Sequence, residues 1–183
     1  MKDAGAAAKQ RFLVLYDCGM GGTSWWWVLA RSSREVLETI AQVEVVDDAA
    51  LIQEAAEWDL EEADIDAPVL PAGLDGLRKE RDAQRGRPGF GALAGRSVVH
   101  LRRRWDGEDD EDPTLYLLEI GPDGRRLRQV RMPEDGTAFR SGPDDWAFNP
   151  PVVDLFDPRL AEEEIGRDEF ESQWNRARHD AFA

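Results

Sequence analysis

The order of hydrophobic and polar positions predicts several short strands and helices in the first half of the chain. Apolar residues at 12–16 and 24–30 predict two strands, and the glycine-rich turn between them predicts a β-hairpin. Within the second strand, Trp25 and Trp27 should face one side of the sheet and Trp26 the other, because side chains alternate along a strand. At least one indole should therefore lie on a surface or beneath another element.

A helix, a third strand and a second helix are predicted after the hairpin. Ser32 and Glu35 have the Ser-x-x-Glu spacing of a capping box, which predicts a helix whose apolar side packs on the hairpin. Residues 43–47 predict a strand, and residues 49–58 predict a short helix. Residues 59–66 are rich in acidic side chains and predict a loop that ends at the prolines that follow.

The second half of the chain has a different periodicity. An exposed, charged helix is predicted at 73–85, followed by a Gly- and Pro-rich linker at 86–96. Apolar segments separated by turn residues then predict an antiparallel meander. Its three strands are predicted at 97–105, 114–120 and 125–132. A terminal helix is predicted over 167–182, where Phe170 and Trp174 recur at helical spacing.

Together these elements predict an α+β fold with two small antiparallel sheets, each packed with one or more helices. The first predicted domain, at 1–85, is a β-hairpin, helix and strand module with an acidic loop. A linker at 86–96 connects it to the second predicted domain, a β-meander with a C-terminal helix at 97–183.

Composition narrows the class of protein. Of 183 residues, 42% are hydrophobic, and seven Trp and seven Phe are too many for a disordered acidic chain. No segment approaches the roughly 20 apolar residues of a membrane span, and the first residues lack the apolar core of a signal peptide. A single cysteine, Cys18, permits no internal disulfide, so we expect a protein of the reducing cytoplasm.

The charge of the chain is concentrated in blocks. There are 38 acidic and 23 basic residues, for a net charge of −15, and the segments 47–66 and 106–123 contain nine and eight acids without any base. Such blocks repel themselves unless they face water or a cationic partner. A solvated face is the simpler interpretation of either block alone, but two such blocks favour a docking surface for a basic protein. The acidic excess argues against nucleic-acid binding.

Candidate phosphate-binding and nucleophilic motifs are weak. The segment Gly19–Gly22 follows a strand, as a phosphate loop does, but a Trp-rich strand rather than a helix comes next. We therefore expect a hairpin turn that requires positive φ. Cys18 beside Asp17 would need a nearby histidine to act as a nucleophile, and only His100 and His179 exist. A structural role is expected for the cysteine.

Metal, hydrolytic and RNA-binding sites also lack a specific pattern. The acidic segment 106–112 has no calcium-loop alternation, and two His and one Cys do not suggest a zinc site, so we expect no metal and no cofactor. The many carboxylates could form a hydrolytic pair, but none stands out, and no catalytic residue is assigned. Arginines 102–104 precede Trp105 as in some RNA-binding strands. The acids that follow instead favour ion pairs across the sheet.

The C-terminal half contains a pattern of residues spread over positions 97–178. Its members are Leu101-Arg102-Arg103-Arg104-Trp105, Pro113, Leu115, Tyr116, Glu119, Ile120, Asp123-Gly124, Leu127, Arg128, Val130, Gly136, Glu164-Ile165, Glu169-Phe170-Glu171 and Trp174. This pattern resembles a family of uncharacterised small acidic bacterial domains. The resemblance implies an immunity protein of a toxin system and no mechanism. Arg125 and Arg126 depart from the family's acidic pattern, which leaves their charge partners open.

The N-terminal half also contains a pattern with a counterpart elsewhere. Its members are Tyr16-Asp17, Gly21-Gly22 and Trp25-Trp26-Trp27, followed by a helix and the strand at 43–46. This segment looks like a module of hypothetical actinobacterial proteins, for which no activity is implied.

We therefore expect a non-enzymatic, cytoplasmic, acidic protein-binding domain, and most specifically an immunity protein that neutralises a basic bacterial toxin. Neither nucleic acid nor membrane is expected as a partner. The expected partner-binding residues are acids of both blocks with one aromatic anchor: Asp109, Asp110, Glu111, Asp112, Glu61, Glu62, Asp64, Asp66 and Trp146. Two alternatives stay open, a nucleic-acid-mimicking or regulatory adaptor and a carboxylate-dependent hydrolase.

Overall fold

The computed structural model describes residues 8–19, 22–106, 113–147 and 149–180. The chain divides into two compact units, residues 1–87 and 88–183. Within the described residues, each unit has one mixed sheet with helices packed against it, which confirms the expected α+β fold. Each sheet is antiparallel except for one short parallel edge strand, which the sequence pattern did not predict.

The first sheet is built on the predicted hairpin of β1 (Gln10–Asp17) and β2 (Thr23–Ala30). Strand β3 (Glu44–Val45) pairs antiparallel with β1, and β4 (Glu62–Asp64) pairs parallel with β2, so the strand order is β3-β1-β2-β4. The prediction of a loop over 59–66 was therefore wrong in part. A three-residue strand is too short to show a periodicity in sequence.

The hairpin turn and the first helix form as their local sequences indicate. Gly19 and Gly22 have φ values of +61° and +89°, which confirms a turn that requires positive φ. Helix α1 (Ser33–Thr39) is capped by Ser32, whose hydroxyl accepts a hydrogen bond from the Glu35 amide at 3.1 Å. The predicted capping residue is confirmed.

Helices pack against both faces of the first sheet. On one face, Trp26 packs in a core with helix α3 (Ala72–Arg85), and Leu74 of that helix is fully buried. The prediction of an exposed α3 was wrong, because one side of the helix is buried, including the side chain of Arg81, which is 1% exposed. On the other face, Trp27 packs beneath helix α2 (Ala49–Ala55). The alternation predicted for the three tryptophans is therefore confirmed.

The second sheet contains the predicted meander and two further strands at one edge. In the order of the sheet, its strands are β5 (Val99–Trp105), β6 (Thr114–Ile120), β7 (Arg126–Pro133), β8 (Phe139–Ser141) and β9 (Arg178–His179). Strand β9 lies within the predicted terminal helix at 167–182. That prediction was wrong at its end, since the helix stops at Arg176 and the chain continues as a parallel edge strand.

Two helices and a loop segment pack on the second sheet. Helix α4 is Leu160–Glu163, and helix α5 is Arg167–Arg176. On one face, α5 inserts Phe170 into a core with β6 and β7. The core on the other face includes Leu93, which is 1% exposed, so part of the Gly- and Pro-rich segment at 86–96 is packed within the second unit.

Candidate functional site

The carboxylates expected to bind a partner in the first unit lie on and beside β4. Glu62 and Asp64 are in the strand, Glu61 precedes it and Asp66 follows it, and all four side chains are exposed. The corresponding acids of the second unit, at 109–112, lie outside the described residues.

Two of these carboxylates are neutralised by bases within their own unit. Asp66 pairs with Arg31 at 2.6 Å and with Lys9 at 2.7 Å, and Asp64 also pairs with Lys9. The Arg31 guanidinium, followed by the Lys9 ammonium, holds the pKa of Asp66 well below its usual range, and Lys9 lowers the pKa of Asp64. These acids therefore present less free charge to a partner than their number in sequence suggests.

Glu62 is also engaged within the first unit. Its carboxylate accepts the Arg11 guanidinium at 2.8 Å, and that guanidinium lies 4.2 Å from the centre of the Trp27 ring. Trp27 is 3% exposed, and its indole N–H has no acceptor among the described residues. Glu62 thus holds a cation over a buried indole, which is a role in packing.

A second set of carboxylates in the same block has no compensating base. Glu54, Glu57, Asp59 and Glu61 are all exposed, and none of them forms an ion pair with a described residue. Sequence reasoning named only Glu61 of this set, because a count of charges does not show which acids find a base in the fold. The available signal was Trp58, a large apolar residue between acids.

These four acids alternate along the chain with residues of an apolar face that stays partly exposed. The Trp58 ring meets the Trp25 ring edge-on, with centroids 5.4 Å apart and planes at 83°. Helix α2 has only seven residues, and six large apolar side chains on this face stay half-buried. They are Leu15, Trp25, Leu51, Ile52, Trp58 and Leu60. We call these six residues with the four acids the Trp25/Trp58 surface.

The Trp25/Trp58 surface has the composition of a protein-binding surface. Aromatic and aliphatic side chains form its centre, and uncompensated carboxylates interleave with them along the chain, since Trp58 lies between Glu57 and Asp59. An apolar centre with a charged, solvated border is the usual arrangement of protein interfaces. Its negative charge would complement a basic partner.

Trp146, the expected aromatic anchor, lies in the second unit. It follows a 3-10 turn at Pro143–Asp145, and its indole N–H donates to the Ser141 hydroxyl at 3.0 Å. Asp145 accepts from the Gly142 amide at 2.8 Å and pairs with His179 at the same distance. Local hydrogen bonds therefore hold the Trp146 ring in a half-buried position.

The arginines of β5 form ion pairs, one of them with an acid of the segment that follows the strand, as expected, and two with helices instead. Arg104 pairs with Asp106 at 2.7 Å, within the acidic segment that follows the strand. Arg103 pairs with Glu163 of α4 at 3.0 Å, and Arg102 pairs with Glu169 of α5. Sequence reasoning did not identify these helical partners, because they lie about 60 residues further along the chain.

Arg128 centres a dense charged network between β6, β7 and α5. Its guanidinium donates to Glu119 at 2.7 Å and to Glu171 at 2.6 Å, and it lies against the rings of Phe170 and Trp174 at 4.9 and 4.8 Å. Arg128 lowers the pKa of both carboxylates. Because the Arg128 guanidinium binds Glu171 of α5 as well as Glu119 of β6, this network stabilises the packing of α5 on the sheet.

The remaining candidates for other chemistry are Cys18, the carboxylates and histidines, and the helices. Cys18 is exposed, and its sulfur lies 3.9 Å from both the Tyr16 carbonyl and the Ser24 hydroxyl. No three His, Cys, Asp or Glu side chains among the described residues are arranged to hold a metal ion. None of the described helices is long and apolar enough to cross a bilayer.

Comparison with protein-family models, with curated proteins and with solved structures finds no match to this chain.

Proposed function

We propose that this protein is an acidic protein-binding domain whose first unit binds a basic protein through the Trp25/Trp58 surface. The observation that carries the proposal is the set of four exposed carboxylates without a described ion-pair partner that lie next to half-buried apolar residues along the chain, on a sheet face that stays partly exposed. Carboxylates of this kind steer a cationic partner and raise the association rate, whereas buried aromatic anchors provide affinity.

The role we propose for this binding is neutralisation of a toxin. Toxins that act on nucleic acids carry positive clefts, and an inhibitor of opposite potential can occupy such a cleft quickly and selectively. The residue pattern of the C-terminal half, which resembles uncharacterised small acidic bacterial domains, implies the same class. In this role the protein is a non-enzymatic inhibitor, and it resides in the cytoplasm of the cell that it protects.

The ion pairs of the first unit change which of its acids we propose as contacts of the partner. Three of the acids already form ion pairs within the unit: Glu62 with Arg11, Asp64 with Lys9, and Asp66 with Arg31. Glu61 stays in the proposed contact set, and Glu54, Glu57 and Asp59 join it. In the second unit we retain Trp146 and the carboxylates at 109–112 as further proposed contacts.

The test is the association rate of the protein with a basic toxin encoded at the neighbouring locus, measured at increasing salt. The triple variant Glu54→Gln, Glu57→Gln, Asp59→Asn should bind about tenfold more slowly at low salt, and the difference should shrink as salt increases. Trp58→Ala should mainly raise the dissociation rate, since it removes an anchor without changing the charge.

A charge-matched control distinguishes local steering from net charge. The variant Asp144→Asn, Glu162→Gln, Asp168→Asn removes the same charge from exposed carboxylates of the second unit that have no ion-pair partner among the described residues. It should leave the rate nearly unchanged. Equal slowing of association by both variants, or an association rate that does not depend on salt, would contradict binding through the Trp25/Trp58 surface. Failure of the neighbouring toxin to bind at all would contradict the immunity role.

A further inference from the structure

Arg126, at the start of β7, is placed by a bulge in the strand pair β6–β7. Ile120 lies opposite Arg126 and Glu119 lies opposite Arg128, so Leu127 is an extra residue in β7. Because of this extra residue, Arg126 shares a face of the sheet with Gln129 rather than with Arg128. The bulge thereby places Arg126 on the face of the sheet opposite to Glu119, the carboxylate that Arg128 binds.

The Arg126 guanidinium is half-buried and pairs with no carboxylate of the described residues. Its Nη1 donates to the Gln129 side-chain oxygen at 2.5 Å, and its Nε is buried without an acceptor. Burial lowers the pKa of Arg126, and the positive charge of Arg103 lowers it further, against an opposing influence of Tyr116. By contrast, the adjacent Arg125 pairs with Asp123 at 3.3 Å.

Gln129, which accepts a hydrogen bond from Arg126, is a neutral side chain. Gln129 is 8% exposed, and its oxygen already accepts from Arg126, so its amide N–H groups are the donors it has left. Ser141 lies opposite Gln129 in β8, and its hydroxyl accepts the indole N–H of Trp146. A partly desolvated cation whose described side-chain acceptor is a neutral amide is costly unless an acceptor with negative charge is supplied.

We propose that Arg126 and Gln129 form a binding site for an oxyanion, namely the carboxylate or phosphate group of a small molecule. With Nη1 held by Gln129, the Nε and Nη2 donors form the edge of the guanidinium that would receive two oxygens of such a group side by side. Because Nε is buried, binding requires the side chains that cover it to move. The bound anion supplies the negative charge that Arg126 does not find in a carboxylate of the described residues. This inference concerns the second unit and does not depend on the proposed binding of a basic protein.

The experiment is a titration of the intact protein with sodium phosphate, and separately with sodium acetate, followed by NMR of the Gln129 side-chain amide and the Trp146 indole N–H. Sodium chloride at equal ionic strength is the salt control. We expect saturable shifts of both signals with at least one of the two oxyanions. Phosphate alone would identify a tetrahedral ligand, and acetate alone a planar one. Linear shifts equal to those in chloride would overturn the site.

Two variants test the role of the arginine itself. Arg126→Met should weaken oxyanion binding at least tenfold. Arg126→Lys should also lose most of the binding, because an ammonium group lacks the two parallel N–H donors of a guanidinium. Arg125→Met is the matched control and should bind as the parent does. Without ligand, Arg126→Met should melt at the same temperature or higher, because a desolvated cation is removed. A lower melting temperature, or unchanged binding, would assign Arg126 a structural role and overturn the proposal.

Discussion

At the scale of single residues, two glycines of α3 face different surroundings. A Cβ added to Gly73 would lie 2.8 Å from the Cζ2 atom of the Trp26 ring, whereas a Cβ added to Gly76 would meet nothing within 4 Å. The first glycine therefore permits close packing of the helix on the buried indole. No neighbouring atom requires residue 76 to be glycine.

Alanine at these two positions should change stability in opposite directions. Gly73→Ala should lower the free energy of unfolding by about 1–3 kcal/mol, because the methyl group displaces the Trp26 ring. Gly76→Ala should raise it by roughly 0.5–1 kcal/mol, because alanine loses less conformational entropy in a helix. Urea unfolding of both variants measures the difference. A Gly73→Ala variant as stable as the parent would contradict the close approach of α3 to Trp26.

At the scale of elements, the docking of α5 depends on carboxylates that lie between two strands and a helix. Glu119 is close to His100, at 3.1 Å, as well as to Arg128, and its side chain is 13% exposed. Its pKa, like that of Glu171, is below the ordinary value near 4.5, chiefly because Arg128 bonds to the ionised form. Ionisation of these groups thus favours the folded state.

The stability of the second unit should therefore depend on pH in the acidic range. The contribution of Glu119 and Glu171 is fully present above their unfolded pKa, near 4.5, and is lost as pH falls through the lower folded values. Glu119→Gln should cost about 1–3 kcal/mol at pH 7 and less at low pH, as measured by urea unfolding. Glu162→Gln, at an exposed site, is the control. An equal cost of Glu119→Gln at every pH would contradict the charged network.

At the scale of the whole molecule, each unit has its own apolar cores. Trp26 and Trp27 lie in separate clusters on the two faces of the first sheet, and Leu118 and Phe170 do so on the two faces of the second. Units of this size, under about 100 residues, are long enough to fold without help from disulfides.

Separate expression of residues 1–87 and 88–183 should give two fragments that each unfold cooperatively. The reason is that each fragment keeps its own sheet and both cores of that sheet. Thermal unfolding followed by circular dichroism checks this, with the intact chain as reference. A fragment without a cooperative transition would mean that its cores do not suffice.

Several errors of sequence-based prediction come from interactions between distant segments. Strand β4 is three residues long and forms only because Ala63 can pair beside Val28 of β2. Strand β9 forms where a helix was expected, since Arg178 finds a partner in Phe139 of β8. Neither segment has enough residues to show a period, so its structure depends on the strand that it joins.

The sequence by itself determined the local elements, including the hairpin, the cap at Ser32 and the meander, because their signals lie within a few neighbouring residues. Only the tertiary structure decided which acids keep an uncompensated charge. Lys9 reaches Asp64 across 55 positions and Arg31 reaches Asp66 across 35, whereas Glu57 has no such base among the described residues. Coulombic pairing depends on distances in space, and those distances are set by the fold rather than by a local pattern.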